Sequence, residues 1–442
     1  MKYLILGCGE TGIFAAKFLL SKKNDVVIFD ENINRVLELK STMLYSDLSF
    51  ASSIQELSMI GNIEKCIVSP GFRTIFNKPK IAEYCISNNI EMISDIDLMI
   101  DEAEKYSTKV IGITGTNGKT TTTKLLEFTL NRLGKKAIAC GNIGNGALGV
   151  DFGNRYDYFV VEMSSAQLEI MKNPRFYAGL LLNISDDHID YHGSIQTYQS
   201  AKEKIFSGNM VSLLAYDIQL IKDIEGKKMI IDKVKTEAGI SFENEAFYYN
   251  GEKLEFETGK IGLIGDHNIT NILFVANFCI SEGFDVFDVL SIITEFKPLK
   301  HRVQLVRKIG NIVFINDSKG TNIHATKTAI SSLNDVYLIA GGIEKYENSV
   351  LDLSDNFNRI RHFFLIGKDA LKIAKNLKEN QFTLCENMNQ AVRFAYKMSI
   401  SDMKNKVSIS PNILLSPFCA SMDMYKNYEH RGDDFIDCVN GL

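Results

Sequence analysis

The sequence predicts an α/β protein of three successive strand–helix blocks. Two observations carry that reading. Short apolar strands alternate with helical stretches along the chain, and two of those strands run directly into glycine-rich loops that open helices. The 442 residues leave room for two or three domains, and the boundaries fall at 1–98, 99–299 and 300–442.

The first block, 1–98, reads as Rossmann-like. Its strands "YLILG", "VVIFD" and "KCIVSPG" alternate with helical stretches such as 11–22. "LILGCGETGIFAA" places Gly7, Gly9 and Gly12 in Gly-x-Gly-x-x-Gly spacing, with Asp30 about 20 residues on. Alone, that pattern points to NAD, with the carboxylate on a ribose hydroxyl.

The second block, 99–299, opens with "KVIGITG" and continues into "TGTNGKTTT". A strand, a glycine loop and a helix in that order form a phosphate site. Backbone N–H groups and the helix N-terminus attract phosphate oxygens. The ATP-binding stretch is therefore Gly115, Thr116, Asn117, Gly118, Lys119, Thr120 and Thr121. Lys119 neutralises phosphate charge, and Thr120 is the natural Mg²⁺ ligand. The strict phosphate-loop pattern needs glycine at Ile113; here Gly115 takes that part. The block is therefore a P-loop ATPase-type domain with a parallel sheet. Glu162 ends the strand "YFVVEM", where a carboxylate can hold a metal beside the loop. "NISDDHIDYHG" gathers Asp186, Asp187, His188 and Asp190. In "SIQTYQSAKEKIF", Ile195, Tyr198, Ile205 and Phe206 share a helix face with Lys202 in its middle and Lys204 opposite. An ammonium there needs an anionic partner, a lowered pKa or a modification, unless its stem only snorkels outward. Residues 209–262 read as short strands with turns, "FYYNGEKLEF" being a hairpin. Helices follow over 267–282 and 286–295.

After the linker "FKPLKHR", the third block, 300–442, has strands "NIVFIND", "VYLIAGG", "FFLIG" and "NILLSP" and helices over 369–377 and 387–399. It reads as a second Rossmann-like α/β domain. "INDSKGTNIHAT" sets Asp317, Lys319, Thr321 and Asn322 in one loop.

Composition excludes several functions. The net charge of −5, without a basic block, argues against nucleic acid. No apolar run is long enough to span a membrane, and the N-terminus is not a signal peptide. Eight scattered cysteines without C-x-x-C spacing suit a reducing cytoplasm rather than zinc or disulfides. Nothing points to an obligate interface, so a monomer is expected.

"TGTNGKTT" resembles the ATP loop of the Mur ligase and folylpolyglutamate synthetase superfamily. Within it, "GNIG" (141–144), "EMSSAQLE" (162–169), "HNITN" (267–271), "NDSKGTN" (316–322) and "LLSPFCASMDMYKNYEHRGDDF" (414–435) look, in order, like motifs of the D-glutamate-adding Mur ligases. The resemblance covers most of the chain. It implies an ATP-dependent ligase that adds D-glutamate to UDP-N-acetylmuramoyl-L-alanine through an acyl phosphate, using two Mg²⁺ ions. Asn271 would meet adenine, Arg302 the phosphates and Asp317 the ribose. Thr120, Glu162, His188 and Lys202 would serve the metals, Lys202 as a carbamate. Asn142 and His188 would orient the nucleotide-sugar substrate. The first block would hold UDP rather than NAD, through Glu10, Thr11, Asp30, Ser69 and Gly71. Lys319, Thr321, Ser421 and Tyr428 would surround D-glutamate. Three positions depart from the family pattern: Tyr428 for Phe, Glu344 for an acidic Asp beside Lys345, and the charged Glu10. An NAD oxidoreductase or a non-catalytic nucleotide-binding regulator is the alternative. The first leaves the second loop unexplained, and the second does not need Lys119, Thr120, Glu162, His188 and Lys202 together.

Overall fold

The computed structural model describes the chain except residues 44, 70–79, 144–145, 186, 188, 209–211, 218–219, 221–226, 232–238, 259–260, 262, 264–265, 298, 332 and 345–349, and except the side chains of Asp190, Ser212, Leu213, Asp266, His267 and His324. It divides into two compact units, Met1–Lys260 with Ile269–Glu295, and Ile261–Asn268 with Phe296–Leu442.

The first unit contains two parallel sheets. Strands β1 (Lys2–Leu6), β2 (Asp25–Phe29), β3 (Leu48–Ala51), β4 (Lys65–Val68) and β5 (Glu91–Ile93) lie in the order β3-β2-β1-β4-β5. Their continuous Val/Ile/Leu runs are what a sheet covered on both faces requires. One face packs Leu4, Leu6, Val27 and Phe29 against Leu57, Ile81 and Cys85. The helix Glu10–Ser21 covers the other with Ala15, Ala16 and Leu19.

The second sheet comprises β6 (Lys109–Thr114), β7 (Ala137–Gly141), β8 (Tyr158–Glu162), β9 (Ala178–Leu181), β10 (Ser212–Ala215) and β11 (Lys227–Ile230), in the order β11-β10-β9-β6-β8-β7. Central β6 pairs in parallel with β8 and β9, so the ends of all three reach one edge. The helix Lys119–Arg132 packs Leu125, Leu126 and Leu130 beneath it. The expected hairpin forms within β12 (Ile240–Glu243), β13 (Ala246–Tyr249) and β14 (Glu252–Lys253), turning at Asn250-Gly251. The helix expected across 195–206 is α-helical only over Ile195–Glu203 and tightens to 3₁₀ at Lys204–Phe206.

The second unit holds β15 (Gln304–Ile309), β16 (Ile312–Asn316), β17 (Val336–Gly341), β18 (Ile360–Ile366), β19 (Phe382–Leu384) and β20 (Asn412–Leu415), ordered β15-β16-β20-β17-β18-β19. The pairing is parallel except between β15 and β16. The four expected strands are present. β15 and β19 escape a reading by apolar runs: polar and charged residues interrupt the edge strand β15, and β19 is only three residues long. The helix expected over 387–399 extends over Met388–Lys404, and the one over 369–377 shrinks to Ala370–Ala374.

All eight cysteines are free thiols. Among the described residues, no helix is long and apolar enough to cross a membrane.

Candidate active site

In the first unit, β6 ends at Thr114 and the chain turns through Gly115–Gly118 into the helix beginning at Lys119. Gly118 adopts a left-handed φ of 84°, and a Cβ there would lie 2.4 Å from Asn271 Oδ1. Only glycine fits, so the loop and Asn271 press together. Asn183, just beyond β9, clamps the loop. Its Oδ1 accepts from Asn117 N at 2.9 Å, and its Nδ2 donates to Asn117 O at 3.1 Å. Its carbonyl accepts from Thr116 N. Thr116 Oγ1 lies 3.0 Å from Tyr198 Oη and accepts from Ser185 N at 3.0 Å. The loop is thus held from the neighbouring strand end and from the Lys202 helix.

Thr120 is half-buried in the first turn of the helix, but Thr121, the next residue, is only 7% exposed and packs into the protein. Its side chain therefore gives the nucleotide little surface to meet. What Thr121 can offer a phosphate is its backbone N–H, since the first turn of a helix leaves its N–H groups without intrahelical acceptors.

Two lysines converge on one carbonyl. Lys119 Nζ donates to Gly115 O (2.7 Å) and Thr116 O (2.8 Å), and Lys202 Nζ donates to the same Gly115 O at 2.9 Å. Lys202 is 1% exposed, and its Nζ lies 4.7 Å from the Tyr198 ring centre. Burial, then the charge of Lys119, pushes its pKa well below the ordinary lysine value; Asp187 and Glu162 oppose that shift. The helical face read from sequence is buried as expected at Tyr198, Ile205 and Phe206. Lys204 instead reaches Glu169 O.

Glu162, at the end of β8, is 3% exposed. Its Oε1 accepts from Asn142 Nδ2 at 3.3 Å, and its Oε2 is buried without a hydrogen-bond partner. A buried carboxylate oxygen with nothing to accept from is what a divalent cation would satisfy. No ready-made cluster of three His, Cys, Asp or Glu side chains exists among the described residues. His188 and Asp186 lie outside them. The next helix, Ser165–Ile170, starts with a capping box between Ser164 and Gln167, which fixes the backbone just after Glu162. Sequence reasoning missed Asn183, Tyr198 as a loop partner, and His192. The His192 ring is fully buried, with Nε2 2.9 Å from Ser165 Oγ.

The first glycine loop is built differently. A Cβ on Gly12 would sit 2.1 Å from Gly7 O, so helix and loop touch there. Asp30 turns its carboxylate onto the backbone: Cys8 N donates to Oδ2 and Asn32 N to Oδ1, both at 3.0 Å. Ser69 Oγ is buried beside Gly7 without a partner. Glu10 is exposed and Thr11 half-buried at the helix start; Gly71 lies outside the described residues.

In the second unit, Asp317 follows β16 and is buried. It accepts from Ser416 Oγ (2.7 Å) and Val303 N (3.2 Å), and burial raises its pKa to about 7. Lys319 Nζ lies 3.9 Å from the centre of the Tyr428 ring. Ser421 is buried, and Arg302 and Thr321 are half-buried. Glu344 pairs with Lys372 at 2.6 Å, whereas Lys345 lies outside the described residues.

Residues 113–279 match the Mur ligase middle domain. The UDP-N-acetylmuramoylalanine–D-glutamate ligase of Agrobacterium fabrum is 31% identical, over 100% of this chain and 95% of its own. That of Rickettsia prowazekii is 34% identical, over 98% and 96%. Among solved structures, the fold is similar to UDP-N-acetylmuramate–alanine ligase MurC of Thermotoga maritima (TM-score 0.59, 17% identity, 100% and 99% of the two chains). It is also similar to MurF ligase of Thermotoga maritima in complex with ADP (TM-score 0.55, 16% identity, 88% and 90%). A parallel sheet ending in a phosphate loop, beside a strand-end carboxylate and a buried lysine, defines a nucleotide-dependent ligase of the Mur class. The chain belongs to the Mur ligase family, in the branch of the UDP-N-acetylmuramoylalanine–D-glutamate ligases.

Proposed function

We propose that the chain joins D-glutamate to UDP-N-acetylmuramoyl-L-alanine at the expense of ATP, in the synthesis of peptidoglycan precursors. The observation that carries this reading is the convergence of Lys119 and Lys202 on Gly115 O, beside the unpartnered Glu162 Oε2. The Lys119 ammonium, which shares its carbonyl with a second amine, is poised for an anion, and an orphaned carboxylate is poised for a cation. The L-alanine carboxylate attacks the γ-phosphate, the bond to ADP breaks, and an acyl phosphate forms. The D-glutamate amine then attacks the acyl carbon and phosphate leaves. Lys119 swings from Gly115 O and Thr116 O to the phosphate oxygens, and backbone N–H groups of the loop and of Thr120 and Thr121 bind the remainder. Mg²⁺, held by Thr120 and Glu162 with His188 and Lys202, would neutralise charge on the transferring group. Asn142, fixed by Glu162, orients the carboxylate of the substrate. Asn271, pressed against Gly118, faces the adenine, and Arg302 and Asp317 serve the phosphates and the ribose.

The low pKa and burial of Lys202 favour a neutral amine, the form that adds CO₂ with loss of a proton to give a carbamate. Intact-mass measurement before and after CO₂ removal tests this. No CO₂ increment, and activity indifferent to CO₂, would refute it. The first sheet, with Glu10, Thr11, Asp30, Ser69 and Gly71, holds the UDP moiety. Lys319, Thr321, Ser421 and Tyr428 hold D-glutamate. The three-domain division at 98 and 299, a monomeric state and a cytoplasmic location belong to the same reading. Phosphate release with UDP-N-acetylmuramoyl-L-alanine should require D-glutamate. Equal or greater release with L-glutamate, L-alanine or L-lysine would overturn the assignment.

A further inference from the structure

Arg431 is 1% exposed and is the largest fully buried side chain among the described residues. It lies one turn into the helix Tyr428–Asn440. Its Nε donates to Ser318 Oγ at 3.0 Å, its Nη2 to Ser318 O at 2.9 Å and its Nη1 to Cys419 O at 3.1 Å. Ser318 Oγ in turn donates to Tyr428 O at 2.8 Å. One guanidinium therefore joins two loops and the helix start. The residues it grips lie one and three positions before Lys319 and Thr321 on one loop, and two before Ser421 on the other. Tyr428 is on the helix itself. The next residue, Gly432, is equally constrained: its carbonyl accepts from Asn316 Nδ2 at 2.9 Å, and a Cβ on it would lie 2.2 Å from His301 Nδ1.

A fully buried charge adds little net stability over a well-packed apolar side chain of similar volume. Its distinctive property is a planar fork that fixes carbonyls in a set geometry. Here that geometry sets the spacing between the two loops.

We propose that Arg431 is a positioning residue for D-glutamate, holding the 318–321 and 419–421 loops at the separation the dicarboxylate needs. This rests on the assignment of Lys319, Thr321, Ser421 and Tyr428 to that substrate. Arg431 does not itself touch the amino acid, so its removal acts on amino-acid affinity through the loops.

The test compares steady-state constants of the full-length enzyme and its variants for all three substrates. Arg431→Met is expected to raise the D-glutamate KM about tenfold or more, while the KM values for ATP and the UDP-substrate stay within about twofold. Arg431→Lys keeps the charge without the fork and should recover only part of the loss. Added guanidinium should lower the D-glutamate KM of Arg431→Ala. Ser318→Ala removes a shared junction without burying an unpaired charge, and it should shift the same KM in the same direction. If Arg431→Met does not fold, Arg431→Lys and Ser318→Ala decide alone. A uniform fall in kcat with unchanged KM values would show a merely structural role and overturn the proposal. Thr321→Ala serves as the control. If it raises the D-glutamate KM and the Arg431 and Ser318 variants do not, this inference fails and the site stands. If Thr321→Ala also has no effect, the site assignment itself fails.

Discussion

The first unit contains two glycine-rich loops, each at the end of a parallel strand, and they have been put to different uses. In the N-terminal loop the acidic residue is already engaged: both Asp30 oxygens accept backbone N–H groups. Beside it the Ser69 hydroxyl is buried without a partner. In the central loop the charges are unbalanced, with two lysines on one carbonyl and a carboxylate oxygen left without a donor. A loop whose polar groups are satisfied holds a ligand by shape. A loop whose charges are mutually frustrated waits for the charged reactants that resolve it. The difference is local electrostatics, since the strand–glycine–helix geometry is common to both.

The sharpest way to break this contrast is Lys119→Ala. Loss of the cation at the transferring phosphate should lower kcat about a thousandfold. Affinity for the UDP-substrate, measured by calorimetry, should be unchanged, because the N-terminal loop is untouched. A comparable loss of UDP-substrate binding would mean that the loops are not separate in function.

A smaller effect belongs to Asp30→Ala, which removes two hydrogen bonds that shape the N-terminal loop. The KM for the UDP-substrate should rise about tenfold, with the KM for ATP unaltered. An ATP effect of the same size would contradict the division of roles.

An effect on stability rather than on catalysis concerns the helix Asp95–Lys105, which packs Ile96, Met99 and Ile100 into the core running between the two sheets. Burial raises the Asp95 pKa to about 6, only partly offset by Ser94 and backbone donors. The folded state therefore binds the proton more tightly than the unfolded chain. Stability should fall as pH rises from about 4 to 6, by roughly 3 kcal/mol at most, and stay low above it. Asp95→Asn should flatten that part of the stability–pH curve in denaturant titrations. An unchanged slope would remove Asp95 as its origin.

Sequence made the central loop legible because its parts are contiguous: strand, glycines, Lys119 and helix follow one another within a few residues. It could not say which threonine of the run is buried, because one helical step of about 100° separates the half-buried Thr120 from the buried Thr121. Lys202 was legible through helical periodicity, since a cation on an apolar stripe stands out. The clamps were not. Asn183 is 66 residues from Asn117, Tyr198 is 82 from Thr116, and Arg431 is 113 from Ser318. Such pairs are set by strand order and helix packing, which no local pattern encodes. The same limit explains Asp30. Its spacing from the glycines fits a ribose ligand, yet its orientation, toward its own loop, depends on where Cys8 and Asn32 fall in three dimensions. The edge strands β15 and β19 also went unread, because a strand with one neighbour can be interrupted by polar residues, as β15 is, or run to only three residues, as β19 does.

The central claim is that the second loop, and not the first, names the chemistry: a substrate carboxylate attacks the γ-phosphate of ATP. The most direct test uses UDP-N-acetylmuramoyl-L-alanine labelled with ¹⁸O in its carboxylate, incubated with ATP and D-glutamate. One labelled oxygen should appear in the phosphate released for each amide formed. Phosphate free of label, with the product formed at the usual rate, would contradict the account.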